Sequence, residues 1–311
     1  MQRIVSRVLP DGSIRNVQPY HVCLEGLETA VLCRDEKDYD AFVKIIALAA
    51  RRKNVLVVIY AVVSNHCHVA VLSGCQEDAD AYGEELKRMV SMWTSNRYGI
   101  RKVLRRTDMK ALLLDSDWYV RNALAYVPRN ALDNGCNVND YPWSSYGAMF
   151  RKEKPCCPAE GKGPPWRVRE MTRREVRALL HTGDDLSQVP WLLDAGMRLV
   201  PESFCDTEYL EQAFNHDQAY FIRTIGTLNA AEMREKLVDA YRTLRPDNDV
   251  LADAADTARH WFGLEMPALT RCQKMRLIPY FHRTRKTTVA QLARVFGMTR
   301  EDVRAILYPG K

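Results

Sequence analysis

The stretch Val55 to Val63, VLVVIYAVV, leaves this chain little conformational freedom. It is uninterrupted by any charged or strongly polar residue, rich in β-branched side chains, and far shorter than the roughly 20 apolar residues of a membrane span. That composition predicts a central β-strand buried on both faces. Ser64 and Asn65 then supply a turn, and HCHVAVLS alternates well enough to be a second strand, antiparallel to the first. A hairpin covered on both faces needs helices beside it, and the flanking sequence supplies them. DEKDYDAFVKIIALAARRKN begins acidic, ends basic, and spaces Phe42, Ile45, Ile46 and Ala49 along one helical face, an order that suits the helix dipole. Residues 77 to 98 put Leu86, Met89, Val90 and Trp93 on one face, and residues 115 to 133 read as a further helix. Upstream, YHVCLEGLETAVLC (Tyr20 to Cys33) reads as two short extended pieces around a turn at Glu25 and Gly26. The order β, α, ββ, α, α predicts an α+β domain, an antiparallel sheet with helices packed on it.

Between 151 and 168 the sequence RKEKPCCPAEGKGPPWRV loses all periodicity and gains Pro, Gly and Lys, which places a linker there and a first domain at 1–150. A helical connecting region is expected over 169–268, with a capping box at Thr172 and Glu175 and helices near 207–228, 229–244 and 251–263. The last segment, 269–311, contains TTVAQLARVFGMTREDVRAIL, spaced as a helix-turn-helix. Small Ala293 permits close approach of the helices, Gly297 permits the turn, and Thr299 caps the second helix. Exposed Arg300 and Arg304 of that helix are the candidate DNA contacts.

Charge supports that assignment by its position. The chain carries +6 overall, yet residues 271 to 311 hold ten Lys or Arg against Glu301 and Asp302, so this end is +8 and the rest about −2. An anionic partner such as nucleic acid would meet the basic end. The nine cysteines are odd in number and lack any C-x-x-C pair, which fits neither a disulfide framework nor a zinc ribbon. With no signal-like or membrane-spanning run, a soluble cytoplasmic protein is expected.

His66 and His68 lie two apart on the second strand, so both imidazoles leave the same face while Cys67 points the other way. Two neutral imidazoles on one face can share a metal ion, and at this point an ordinary pair of strand histidines is the alternative. The surrounding residues add to the pattern. VVSNHCHVAVLS resembles the His-hydrophobe-His strand of single-tyrosine transposases of the HUH type, where Met-Pro-Asn-His-x-His-Leu is usual. YHVCLEGLETAVLCRDEKDYDAFVKII is similar to that family's opening strands and first helix, and YPWSSYGAMF to the end of its domain. The resemblance covers about residues 18 to 150, and TRREVRALLH to ESFCDTEYLEQAF extends it toward the REP-associated tyrosine transposases.

The resemblance implies a catalytic helix carrying ALAYVPRNAL, with Tyr126 as nucleophile and Asn130, four residues on and on the same helix face, as third metal ligand beside His66 and His68. It implies Mg²⁺ or Mn²⁺ as cofactor, single-stranded or hairpin DNA as partner, a possible homodimer, and a 5′-phosphotyrosine intermediate formed by a strand-transferring DNA transposase. Imidazole and amide ligands with open positions suit such a cation, which polarises a phosphodiester toward attack. Arg97, Arg101, Lys102 and Arg105 before that helix, with Lys87, Arg88 and Arg106, are candidate DNA contacts, and Trp93 or Tyr98 could stack on bases. His21 is read as a strand residue near the site and not a ligand, and Trp143 as closing the core.

The sequence also departs from the family pattern. Val63 and Ser64 replace Met-Pro, Cys67 separates the histidines, RKVLRRTDMKALL replaces a Leu-Trp-Gln segment, and Pro128 stands between Tyr126 and Asn130 where it removes a helix hydrogen bond. Tyr119 is the reserve nucleophile. The competing expectations are a catalytically inactive, domesticated DNA-binding descendant of such transposases, a replication initiator or relaxase, and a zinc-dependent regulator using His66, Cys67 or Cys75.

Overall fold

In a computed structural model, residues 3–25, 31–100, 104, 109, 111–133, 136–152, 155, 163–227, 247–284 and 287–308 are described. They form a mixed α/β structure with an antiparallel sheet and ten α-helices, divided into two compact units. The sheet runs in the order β1 (Val5–Val8), β2 (Ile14–Glu25), β4 (His66–Ser73), β3 (Leu56–Val62), with β5 (Leu112–Leu113) also paired to β2. The expected buried strand and its partner are thus β3 and β4, antiparallel and adjacent. The two extended pieces expected around Glu25 merge differently: the first belongs to one 12-residue strand, β2, and residues 26–30 lie outside the described residues. Strand β1 was not anticipated, because Val5 to Val8 carries little apolar pattern of its own.

Side-chain alternation gives the sheet two buried faces. On one face Val22, Leu24, Tyr60, Val62, Cys67 and Val69 join the main core with α1 (Glu36–Arg52) and α2 (Gln76–Tyr98). Helix α1 starts where Asp35 accepts the amides of Lys37 and Asp38, and its charges run acidic to basic along the dipole. Against the opposite face, around β3 and β4, packs α3 (Asp117–Asp133), whose Val120, Ala123, Leu124 and Val127 are fully buried. An irregularity between Val57 and Ile59 gives β3 an extra residue relative to β4, so Val57 and Tyr60 both reach the main core. The outer edge of β3 is covered, not exposed: the Val62 amide donates to the Trp143 carbonyl, the Tyr60 amide to Ser145 Oγ, and the Asp206 amide to the Val57 carbonyl. Trp143 is buried and stacks on Tyr39.

Downstream of the expected linker the chain is not a separate domain. Val168, Val176, Leu180, Leu186, Val189, Trp191, Leu193 and Leu199 share one core with Phe42 and Leu48, and this unit continues through the last described residue before 247. The region is also not wholly helical. After α4 (Arg173–Leu180), which opens on the expected Thr172–Glu175 capping box, the chain forms a two-stranded ribbon of β6 (Trp166–Arg167) and β7 (Leu192–Leu193) before α5 (Thr207–Ala213) and α6 (Gln218–Thr227). Both α5 and α6 pack on α3, where the Arg121 and Arg129 guanidinium groups donate to the Ala213 and Ile225 carbonyls at the helix ends. The helix expected near 229–244 falls outside the described residues.

The second unit contains α7 (Asp247–Phe262), α8 (Arg271–Thr284), α9 (Val289–Phe296) and α10 (Arg300–Leu307) around Leu277, Phe281, Leu292, Phe296 and Val303. Gly297 ends α9 in the left-handed conformation (φ 60°), and Thr299 Oγ accepts the Asp302 amide to start α10. Ala293 is buried, and Arg300 and Arg304 are exposed.

Candidate active site

Two elements of the sheet-bearing unit bring the candidate residues together. Strand β4 presents His66 and His68 on the face that carries α3, and Cys67 is buried in the opposite core, where burial pushes its thiol up to about 12. That orientation makes Cys67 a core residue and separates it from the histidines. Helix α3 presents Tyr126 and Asn130 to the same histidines. The Tyr126 ring lies 5.2 Å from His68, edge to face at 79°, and Asn130 Oδ1 lies 3.2 Å from His66 Nε2. His66 and His68 are themselves 5.0 Å apart by ring centroid. All four residues are present at one place, with Asn130 2%, Tyr126 4% and His68 6% exposed and His66 half-buried.

The orientation of Asn130 is set by the helix. Its amide nitrogen donates to the carbonyls of Tyr126 and Val127, both at 3.0 Å, which turns Oδ1 toward His66. His66 Nδ1 in turn faces Asn65 Oδ1 at 2.8 Å. A neutral imidazole has one N–H, so it can donate to one of these two amide oxygens and not both. With the proton on Nδ1, His66 Nε2 and Asn130 Oδ1 are two lone-pair atoms facing each other at 3.2 Å. With the proton on Nε2, His66 donates to Asn130 Oδ1 instead, and a metal ion bound to both atoms would take that proton's place. Cis ligands of an octahedral ion at 2.0–2.1 Å are about 3 Å apart, so the spacing fits a divalent metal.

Around His68 the sheet supplies two further contacts. Nδ1 lies 3.2 Å from His21 Nε2, with the two ring centroids 5.1 Å apart, and Nε2 lies 3.9 Å from Cys23 Sγ. Cys23 is directly opposite His68 in the β2–β4 register, and His21 is opposite Ala70, so His21 reaches His68 along the sheet diagonal. His21 is fully buried, and desolvation lowers its pKa to about 3, which keeps it neutral. Sequence reasoning placed His21 near the site. Its direct bond to His68 depends on register, which no single strand reveals.

The remaining candidates sit elsewhere. Tyr119 is half-buried, and burial, followed by the nearby Asp115, raises its hydroxyl to about 12. Arg97 is held by Asp35 and Asp38, and its guanidinium lies over the Trp93 and Tyr98 rings. Trp93 Nε1 and the Tyr98 hydroxyl also donate to the buried Asp38 carboxylate. These three residues therefore fasten the end of α2 to the start of α1. Lys87 pairs with Glu84 and Arg88 with Glu85, while Arg101, Lys102, Arg105 and Arg106 lie outside the described residues. Among the described residues, one group of three His, Cys, Asp or Glu side chains is close enough to share an ion, the surface set Glu208, Glu211 and His216 on and after α5. No helix of the described residues is long and apolar enough to cross a membrane.

No protein-family model matches the sequence, and no curated relative matches it. A solved structure described as a REP-associated tyrosine transposase bound to a REP hairpin is similar over 44% of this chain and 82% of its own, at 14% identity and a TM-score of 0.35.

Proposed function

We propose that this chain is a metal-dependent DNA strand-transferase that uses Tyr126 as nucleophile. The observation that carries the reading is the convergence, from β4 and α3, of two imidazoles, an amide oxygen and a tyrosine ring at one place. The sequence resemblance to single-tyrosine transposases supports the same assignment. His66, His68 and Asn130 would hold Mg²⁺ or Mn²⁺, which when bound polarises a phosphodiester and offsets charge developing on its oxygens. Asn130 is locked by its two bonds to α3 carbonyls, so the ligand oxygen needs no reorganisation on binding. Tyr126 Oη attacks phosphorus: the phenol loses its proton, an oxygen–phosphorus bond forms, the bond to the 3′-oxygen breaks, and that oxygen leaves as a hydroxyl. The 5′-phosphotyrosine so formed retains the bond energy, and a second 3′-hydroxyl can reverse the step without ATP. The second unit, with Arg300 and Arg304 exposed on α10, would contribute DNA contacts as a helix-turn-helix.

One observation favours a second reading, a DNA-binding descendant without cleavage. Tyr126 is only 4% exposed, so a phosphate must enter a nearly closed site to meet it. Incubating the protein with single-stranded hairpin DNA and Mn²⁺, then running a denaturing gel, separates the two. The transferase reading expects a covalent protein–DNA band that disappears without metal and in Tyr126→Phe. Tight hairpin binding with no band, unchanged in Tyr126→Phe, selects the binding-only reading.

A further inference from the structure

We infer that His21 is a positioning residue for the metal site: it accepts the Nδ1 proton of His68 and thereby holds His68 in the one tautomer whose Nε2 can ligate a metal. The inference rests on the metal reading above and adds to it a residue from a different strand.

The argument is one of proton placement. A neutral imidazole carries its hydrogen on one nitrogen only, so a histidine that binds metal through Nε2 must carry it on Nδ1. A ligating histidine normally donates that N–H to a carboxylate, a backbone carbonyl or water, and the acceptor fixes both tautomer and ring orientation. In this chain the group opposite His68 Nδ1 is His21 Nε2 at 3.2 Å. His21 is 0% exposed on the middle of β2, whose backbone is paired on both sides there, to Ala70 of β4 and Leu112 of β5. The two rings lie 19° from parallel with centroids 5.1 Å apart, the spacing of an edge-to-edge pair joined through an in-plane N–H, and the His68 plane is edge-on to Tyr126. A neutral imidazole acceptor draws less charge onto the ligand than a carboxylate would, which suits a weakly held, exchangeable Mg²⁺ or Mn²⁺.

Two measurements on the full chain test this. In the metal-free protein with ¹⁵N-labelled histidine, long-range ¹H–¹⁵N spectra are expected to show His68 protonated at Nδ1, its signals assigned by their loss in His68→Gln. A proton on His68 Nε2 overturns the inference without reference to any activity. Mn²⁺ affinity is then measured by calorimetry without DNA. His21→Phe keeps a buried ring and removes the acceptor, and is expected to weaken Mn²⁺ binding on the order of 10- to 100-fold. His21→Gln restores an acceptor at the position of Nε2 and is expected to recover most of the loss. His21→Phe binding Mn²⁺ as tightly as the unaltered chain, while His66→Ala binds none, refutes the role of His21 and leaves the metal site standing. Unaltered binding in His66→Ala removes the metal site itself, and the inference falls with it.

Discussion

Replacing Asn130 tests whether the oxygen it presents to His66 is a metal ligand. Asn130→Ala deletes two hydrogen bonds to the Tyr126 and Val127 carbonyls, each about 1 kcal/mol. Alanine's better helix propensity returns roughly 0.5 kcal/mol, so the metal-free variant should lose about 1 to 1.5 kcal/mol. Asn130→Asp is harsher without metal, because a carboxylate oxygen replaces the amide nitrogen 3.0 Å from two carbonyl oxygens, at a cost of roughly 2 to 3 kcal/mol. Mn²⁺ reverses the ranking. At a hundredfold excess over its dissociation constant a ligand stabilises by about 2.7 kcal/mol, and a unit of this size gains about 2 to 4 °C per kcal/mol. The unaltered chain should therefore melt about 5 to 10 °C higher with Mn²⁺, Asn130→Ala should lose most of that rise, and Asn130→Asp should show a larger rise from a lower start. Scanning calorimetry of the three proteins with and without Mn²⁺ gives the comparison. An equal Mn²⁺ shift in Asn130→Ala and the unaltered chain refutes Asn130 as a ligand.

Two further outcomes follow from other parts of the chain. Asp38 is 1% exposed; burial acts to raise its pKa, but bonds from the Tyr98 hydroxyl, the Arg34 amide, Trp93 Nε1 and Arg97 outweigh it and hold the carboxyl below the usual range. Its contribution is complete above the unfolded value of about 3.9 and is lost as pH falls through the lower folded value. Asp38→Asn should thus cost about 3 to 5 kcal/mol in denaturant melts at neutral pH and flatten the acid limb below about pH 4, and a neutral-pH loss under 1 kcal/mol would show the cluster to be ornamental. In the second unit, Arg300→Ala with Arg304→Ala should lower the slope of log affinity for DNA against log salt by about 2, read by fluorescence anisotropy, and an unchanged slope would remove α10 from the DNA interface.

Much of the sheet-bearing unit was legible because its apolar residues are periodic. The β3–β4 hairpin, α1, α2 and α3 all lie within a residue or two of where alternation and helical spacing put them. The segment from 163 to 206 was misread for the converse reason. Its buried residues, such as Val168, Leu186, Trp191 and Leu199, come at irregular intervals in loops and a two-residue ribbon, so no period marks them as core. Proline and glycine there signalled a boundary, whereas the chain was only changing direction over the same core. At the site, residue types and spacing pointed to His66, His68, Tyr126 and Asn130, but whether β4 and α3 face each other is a tertiary fact. The charged residues show the opposite limit. Arg97, Trp93 and Tyr98 look in sequence like a surface for DNA, and their partner, Asp38, lies some sixty residues away on another helix.

Pro128 shows how tertiary packing can override a local rule at the site. A proline inside a helix removes one N–H and crowds the carbonyl four residues earlier, here Leu124. An isolated helix would bend or end there, and Tyr126 and Asn130 would then part. In the folded chain α3 continues to Asp133, with Leu124, Val127 and Ala131 fully buried around the proline. Tertiary contacts fix both halves of the helix. The N-terminal half packs on the sheet and is tied to α5 by Arg121, and the C-terminal half is tied to α6 by Arg129 and to β4 by Asn130. Asn130 adds its own clasp across the proline by donating to the carbonyls of Tyr126 and Val127. The side chain that presents an oxygen to His66 is therefore also the one that joins the two halves of the helix where its backbone is weakest.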